Sequence, residues 1–271
     1  MKQTNNLFVL SALLAASIAA GGCAGTATDP VPTPETVAVR TETPVVIDGK
    51  LDDPVWQQAP RYRLTRLIES RWPAKTREKI LSTPEETTFF QLAFDDRYVY
   101  FAVDAADSDA VDFSTGSQTK LFTNSDVVEL FLKPVANRKY MENHMTPGGR
   151  QSTYILPARG RGMLDEVFVQ PAIPGVSSAA RVAGTLNDDR DVDRGWTAEM
   201  AIPRTELDKL GVPFDGQAPW TVMVSRYNYS VHLPTLTLSS YPEMPIPYFH
   251  LEEYFSPLRL SGTLPALRQP E

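Results

Sequence analysis

Twenty-three prolines and 15 glycines are distributed along the whole of this 271-residue chain. Proline removes a backbone donor and crowds the preceding helical turn, so this distribution disfavours long helices and favours short strands separated by turns. Aromatic residues make up 10% of the chain, ample for a real core. Cys23 is the only cysteine. No intrachain disulfide can form, so packing must hold the fold.

The apolar pattern agrees with short strands. Thr87 to Asp95 alternates, with Phe90, Leu92 and Phe94 on one side, and after Asp95-Asp96-Arg97 the pattern resumes as Val99, Phe101 and Val103. That spacing predicts a hairpin with one buried face. The β-branched run Pro44–Ile47 predicts a strand ended by the turn Asp48-Gly49. Further strands are expected over Asp126–Lys133, Gln151–Leu156, Glu166–Gln170, Ala180–Leu186, Trp196–Ile202, Trp220–Tyr229 and Tyr254–Leu260. Short helices are expected over Asp52–Ala59, where Pro54 suits a first turn, and over Pro203–Leu210, closed by Gly211. Arg71–Glu86 has weak periodicity and reads as an insertion or long loop. These elements predict an all-β fold, a two-sheet antiparallel β-sandwich with one or two short helices.

The N-terminus has its own organisation. Lys2 precedes the apolar run Leu7–Ala20, too short to span a bilayer comfortably, and the run ends in Ala19-Ala20-Gly21-Gly22-Cys23. This arrangement resembles the lipobox of bacterial lipoproteins. The resemblance implies a signal peptide over residues 1–22, cleavage before Cys23 and lipidation of its thiol. Several acyl chains give a stable membrane anchor where one binds only marginally. Residues 23–35 are rich in small residues, Thr and Pro, and read as a lipidated tether. Ala24 follows the cysteine, with no aspartate to signal inner-membrane retention. The expected location is therefore the cell envelope, on the outer membrane facing the periplasm. Residues 36–262 form the expected domain and 263–271 a C-terminal tail.

Twenty-six Lys and Arg against 33 Asp and Glu give a net charge of −7, which argues against nucleic-acid binding. No GxSxG, HExxH or P-loop pattern occurs. Pairing Glu129 with Asp126 for hydrolysis fails on geometry, because strand neighbours of opposite facing cannot flank one glycosidic bond. Pairing with Glu199 is the other hydrolytic option and has no motif behind it.

Four stretches carry a family resemblance. They are Ile47–Trp56 (IDGKLDDPVW), Phe94–Phe101 (FDDRYVYF) followed by Val103-Asp104, Asp126–Leu132 (DVVELFL) and Asp193–Pro203 (DRGWTAEMAIP). In order and spacing, from about Val45 to Leu260, they resemble carbohydrate-binding modules of family 9. The resemblance implies a sandwich fold, a saccharide ligand, no catalysis and a glycoside hydrolase as a possible partner. It also implies that Glu129 points into a concave sheet and hydrogen-bonds sugar hydroxyls; a solvated charge or an arginine partner is the alternative. Family members clamp a sugar between two tryptophans, one of them six residues before that glutamate. Thr123 stands there in this chain with Phe122 beside it, so Phe122 is either the substitute or a core residue. The second clamp falls in a segment offering Tyr227, Tyr229, His232 and Tyr241. His144 occupies a position where a charged side chain often faces the site. Arg226 and Asn228 alternate on one face of a strand and are expected on the same concave surface as Glu129, unless Arg226 pairs with a strand carboxylate. No cofactor is required, although Asp48, Asp52 and Asp53 either cap turns or hold a structural calcium ion. Trp56, Trp196, Trp220 and His250 read as structural.

The expected function is a non-catalytic carbohydrate-binding lipoprotein that captures saccharides or polysaccharide chain ends. Two alternatives belong to other classes. One is a haem or electron-transfer module using Met141, Met145, Met163, Met223, Met244 and the histidines at 144, 232 and 250. The other is a protein-interaction scaffold that has lost sugar binding.

Overall fold

The computed structural model describes residues 33–68, 71–159 and 165–262. The expected signal peptide, Cys23 and most of the expected tether lie outside the described residues, as does the expected tail after residue 262. Thirteen strands dominate: β1 (Thr36–Arg40), β2 (Tyr62–Arg63), β3 (Thr65–Arg66), β4 (Thr88–Phe94), β5 (Tyr98–Ala105), β6 (Val127–Pro134), β7 (Tyr140–Met145), β8 (Gln151–Leu156), β9 (Ser177–Val182), β10 (Trp196–Pro203), β11 (Trp220–Asn228), β12 (Thr237–Tyr241) and β13 (Ser256–Ser261). Three short helices, α1 (Ala74–Ser82), α2 (Asp165–Phe168) and α3 (Arg204–Asp208), and several 3-10 turns complete the fold.

The all-β expectation holds, and the expectation of two separate antiparallel sheets is corrected. One hydrogen-bonded path runs β8-β7-β6-β11-β13-β1-β4-β5-β10-β9. Its two halves are antiparallel, but β1 lies parallel to both β13 and β4 and joins them into one mixed sheet. The main core is packed between the halves: Phe90, Leu92, Phe101, Val103 and Met200 come from one, and Val128, Leu130, Leu132, Val222 and Val224 from the other. Trp196 and Trp220 belong to this core.

Both halves are also covered over part of their outer faces, which explains why β4, β5 and β6 read as nearly continuous apolar runs. Over β4–β5–β10, Val55 and Trp56 pack on Ala93, Tyr100, Ala102 and Ala201. Trp56 is held there as Nε1 donates to Glu199 Oε1 at 2.8 Å, while Glu199 Oε2 accepts the amides of Asp48 and Gly49 at 3.2 and 3.0 Å. Gly49 is needed at this turn, since its φ is +80° and a Cβ would sit 2.8 Å from the Ala180 carbonyl carbon. Over β6–β7–β11, the segment carrying Met244, Phe249, Leu251 and Phe255 closes a second cluster on Phe131, Tyr140 and Met223.

Several local expectations change. Pro44–Ile47 forms no ladder; it covers the outer face, with Val45 buried beside Trp56 and the Val46 amide donating to Asp53 Oδ2 at 3.2 Å. The expected helix at Asp52–Ala59 shortens to a 3-10 turn, Pro54–Gln57. Arg71–Glu86 contains α1, whose only buried side chain is Ile80; a helix anchored at one point leaves little apolar period to read. Glu166–Gln170 is corrected from strand to helical turn, because α2 ends at Phe168 with Val167 buried. Strand β9 ends at Val182, so the stretch to Leu186 is loop and turn.

Candidate functional site

The densest group of buried titratable side chains lies on the outward face of β7–β6–β11. Glu129 of β6 pairs in register with His144 of β7 and with Ser225 of β11, and the period of two along β7 places Glu142 beside His144 on the same face. Glu129, Glu142 and His144 are 3%, 5% and 0% exposed. Ser225 Oγ donates to Glu129 Oε2 at 2.7 Å. His144 Nε2 lies 2.6 Å from Glu142 Oε1 and 3.4 Å from Glu129 Oε1. His250 Nδ1, bonded to the Tyr140 hydroxyl at 2.8 Å, stands 4.0 Å from Glu142 Oε2. Among the described residues no lysine or arginine pairs with either glutamate.

Burial governs the charges here. It pushes Glu129 up to about 7, with His144 pulling it down and Glu142 pushing it further up. Burial also raises Glu142 to about 6 and lowers His144. The trio therefore holds its protons more as a shared set than as three independent ions. Its ligand atoms lie within 4.8 Å of one another, close enough to hold a small cation. However, His144 Nδ1 has no hydrogen-bond partner among the described residues, whereas a metal-bound imidazole normally anchors its second N–H.

Aromatic rings cover the trio. Phe122, on the 3-10 turn Leu121–Thr123, meets His144 edge-on at 6.1 Å and packs against Tyr227 at 5.6 Å and Phe168 at 5.8 Å. Tyr227 meets Phe249 at 5.5 Å, and Tyr248 meets His250 at 5.4 Å. Phe122, Phe168, Tyr227 and Tyr248 are each partly exposed. Tyr229 supports this rim from behind: its hydroxyl donates to the Phe122 carbonyl at 2.8 Å and its amide to Asp126 Oδ1 at 2.6 Å. The phenols of Tyr227 and Tyr248 make no hydrogen bond among the described residues. Burial and the neighbouring glutamates raise Tyr227 well above the usual phenol range, so it remains a neutral donor.

Of the residues expected at one site, the structure brings Phe122, Glu129 and His144 together, with Tyr229 as a support. Arg226 and Asn228 are corrected. Arg226 pairs in register with Val128, on the opposite face from Glu129, and is 1% exposed. Its Nη2 lies 2.7 Å from Asp107 Oδ2 and 2.9 Å from Asn228 Oδ1, and its Nη1 donates to Thr88 Oγ1 at 2.8 Å and the Ala106 carbonyl at 2.9 Å. Asn228 Nδ2 donates in turn to Glu86 Oε2 at 2.7 Å. No groove joins these two residues to Glu129, because the sheet itself lies between them. Glu129 is also corrected as a direct sugar contact in this geometry: it lies one layer beneath the rings.

The calcium expectation does not fit. Asp48 pairs with Lys50 at 2.7 Å and lies 3.7 Å from Arg181, Asp53 binds the Val46 amide, and the three aspartates do not converge on one point. The haem set does not share one face either. Met141 and Met145 pack in the main core, across β7 from His144, and His232 is exposed; Met163 lies outside the described residues. Sequence reasoning missed Glu142, which the period of two back from His144 could have found. It also missed Ser225, Phe168 and Tyr248, whose positions depend on register and on long-range packing.

No protein-family model matches the sequence, and no curated protein is recognisably similar to it. Solved structures do match. A Bacteroides uniformis protein provisionally described as carbohydrate-binding shares 15% identity at a TM-score of 0.63, covering 84% of this chain and 99% of that one. A carbohydrate-binding module of family 9 from Caldicellulosiruptor kristjanssonii, solved with cellotriose, shares 13% identity at a TM-score of 0.52, covering 88% of this chain and 98% of the module. The fold is thus of the family 9 type, as the four sequence stretches imply.

Proposed function

With a family 9-type fold as the premise, we propose that this protein is a non-catalytic saccharide-binding protein whose contact surface is the aromatic rim Phe122–Phe168–Tyr227–Tyr248. The observation that carries the reading is the rim itself: partly exposed rings carrying two phenols without hydrogen-bond partners among the described residues. A pyranose offers C–H faces that pack on such rings, and hydroxyls that must each recover a hydrogen bond on leaving water. The phenols of Tyr227 and Tyr248 supply those bonds. The buried trio acts from below, as His144 supports Phe122 edge-on and Ser225 and Glu142 fix Glu129 and His144 in turn. The solved relative with cellotriose is consistent with a saccharide ligand.

Calorimetric titration with xylo-, cello- and glucan oligosaccharides tests this. The wild-type protein is expected to bind at least one, and Phe122→Ala to weaken that binding about tenfold or more, roughly 1.4 kcal/mol. Tyr227→Phe keeps the ring and removes the phenol, and is expected to weaken it less. Failure of the whole panel with the folded protein, or unchanged binding by both variants, would reject the reading in favour of an interaction scaffold.

The cellular setting we propose is lipid anchorage through Cys23 at the envelope, on the outer membrane facing the periplasm, where captured saccharide would serve a glycoside hydrolase. Support comes from the lipobox-like run ending at Cys23 and the tether after it. Cys23→Ser should move the protein from the membrane to the soluble fraction; retention in the membrane fraction would count against the anchor.

A further inference from the structure

A second candidate site lies on the other half of the sheet. The Trp56 turn covers only part of the outer face of β4–β5–β10–β9. It sits over the row Gln91–Ala102–Glu199, where Gln91 Nε2 donates to the carbonyls of Trp56 and Ala59 at 2.6 and 2.7 Å and Glu199 receives the indole. The next row, Phe89–Asp104–Thr197–Arg181, is in register across all four strands; the Asp48-Gly49 turn reaches its Thr197 end, where Thr197 Oγ1 donates to the Gly49 carbonyl at 2.6 Å, and Phe89 and Asp104 at the other end are partly exposed. Small residues, Ala105, Ala106, Ala183 and Gly195, lie where that row meets the strand ends, and together they line a cavity of about 270 Å³. Gly195 cannot carry a side chain there, because a Cβ would lie 2.1 Å from the Ala105 carbonyl oxygen. This volume falls just below the roughly 300–1,000 Å³ of pockets for drug-sized ligands; it suits one ring rather than a chain.

The charge of the lining narrows the ligand. Asp104 is neutralised by Arg61 at 2.5 Å, and the Arg61 guanidinium lies 4.4 Å over the Phe89 ring. Arg181 donates through Nε to the Asp48 carbonyl at 2.9 Å, has Nη2 3.7 Å from Asp48 Oδ2, which Lys50 also pairs, and is about half exposed. Arg194 lines the same cavity, is exposed, and makes no side-chain hydrogen bond or ion pair among the described residues. On a protein of net charge −7, this is a local excess of guanidinium, suited to planar oxyanions. Phe89 is partly exposed beside it and offers a ring to a C–H face. The geometry points to a second binding site, in this cavity, for a single carboxylated pyranose (a uronate), with Arg194 and Arg181 on the carboxylate and Phe89 against the ring. It is independent of the Phe122 rim.

The test is saturation-transfer NMR on the full chain at low salt with glucuronate, galacturonate, glucose and acetate. At least one uronate is expected to bind, glucose and acetate more weakly by tenfold or more, and Arg194→Ala to weaken uronate binding at least tenfold. Phe122→Ala is expected to leave it unchanged. No uronate binding, equal binding of glucose or acetate, binding indifferent to Arg194→Ala, or loss in Phe122→Ala would each overturn the assignment. Arg194 has no side-chain partner to lose among the described residues, so its variant remains decisive even if Arg181→Ala disturbs the Asp48 turn.

Discussion

Arg226→Ala is expected to remove about 3–5 kcal/mol of folding stability, the usual cost of leaving one member of a buried ion pair alone. The guanidinium and the Asp107 carboxylate are 1% and 2% exposed and 2.7 Å apart. Burial pushes the Asp107 carboxyl up and the Arg226 charge pulls it back, so without Arg226 the acid must hold a proton or sit as an uncompensated charge. Five acceptors lose a donor at once: Asp107, Asn228, Thr88 and the carbonyls of Ala106 and Glu86. Trp196 Nε1, 3.1 Å from Asp107 Oδ2, carries the disturbance into the main core. Arg226→Lys restores the charge but not the fan of donors, and is expected to recover only part of the loss. Urea unfolding measures all three proteins; a loss below about 1 kcal/mol for Arg226→Ala would show that the pair is not the strut described. Saccharide binding by the folded fraction should be unchanged, since Arg226 faces away from the rim.

The second large effect concerns Glu129 and pH. Its carboxyl is held at about 7 and that of Glu142 at about 6, both above the ordinary 4.5. Between about pH 4.5 and 7 the folded protein keeps protons that the unfolded chain releases, so these two groups make stability fall as pH rises, until Glu129 has ionised. His144 works in the other direction: its lowered value means that stability is lost as pH drops below 6.5. His250, beside Glu142, is lowered by burial too, so two carboxyls stand against two imidazoles, and only a variant that removes one group isolates its share. Glu129→Gln keeps the shape and removes one ionisation. It is expected to match the wild type near pH 4 and to exceed it at pH 8 by on the order of 3 kcal/mol. Unfolding curves at pH 4.5, 6 and 8 check this; a variant weaker than wild type at pH 8 would mean that the ionised Glu129 stabilises the fold.

The contrast between these two sites explains what was legible in the sequence. Alternation in Phe90–Phe94 and Val99–Val103 identified β4 and β5, because one face of each packs on the main core. The same alternation puts Met223, Ser225 and Tyr227 on one side of β11 and Val224, Arg226 and Asn228 on the other. Which side Glu129 shares depends on the register of β6 against β11, and a shift of one residue exchanges the faces. That is why Arg226 could be expected beside Glu129 and is found behind it. The aromatic rim was readable only in part. Phe122 and Tyr227 stand in segments with motif neighbours, whereas Phe168 and Tyr248 arrive from a helical turn and a late loop. Trp56 was readable as a plug because an indole on a short turn needs both an apolar bed and a hydrogen-bond acceptor, and Glu199 in the fourth motif is that acceptor.

The parallel placement of β1 between β13 and β4 has a consequence for synthesis. Thr36 Oγ1 meets Ser256 Oγ at 2.7 Å across 220 residues of intervening chain, and Val37 lies against Arg259. Until β13 has emerged from the ribosome, β1 has one open edge and the two halves of the sheet lack their bridge. Contacts this distant must await the entropic cost of closing a very long loop. Translation must therefore run as far as β13 before the final stitch can form.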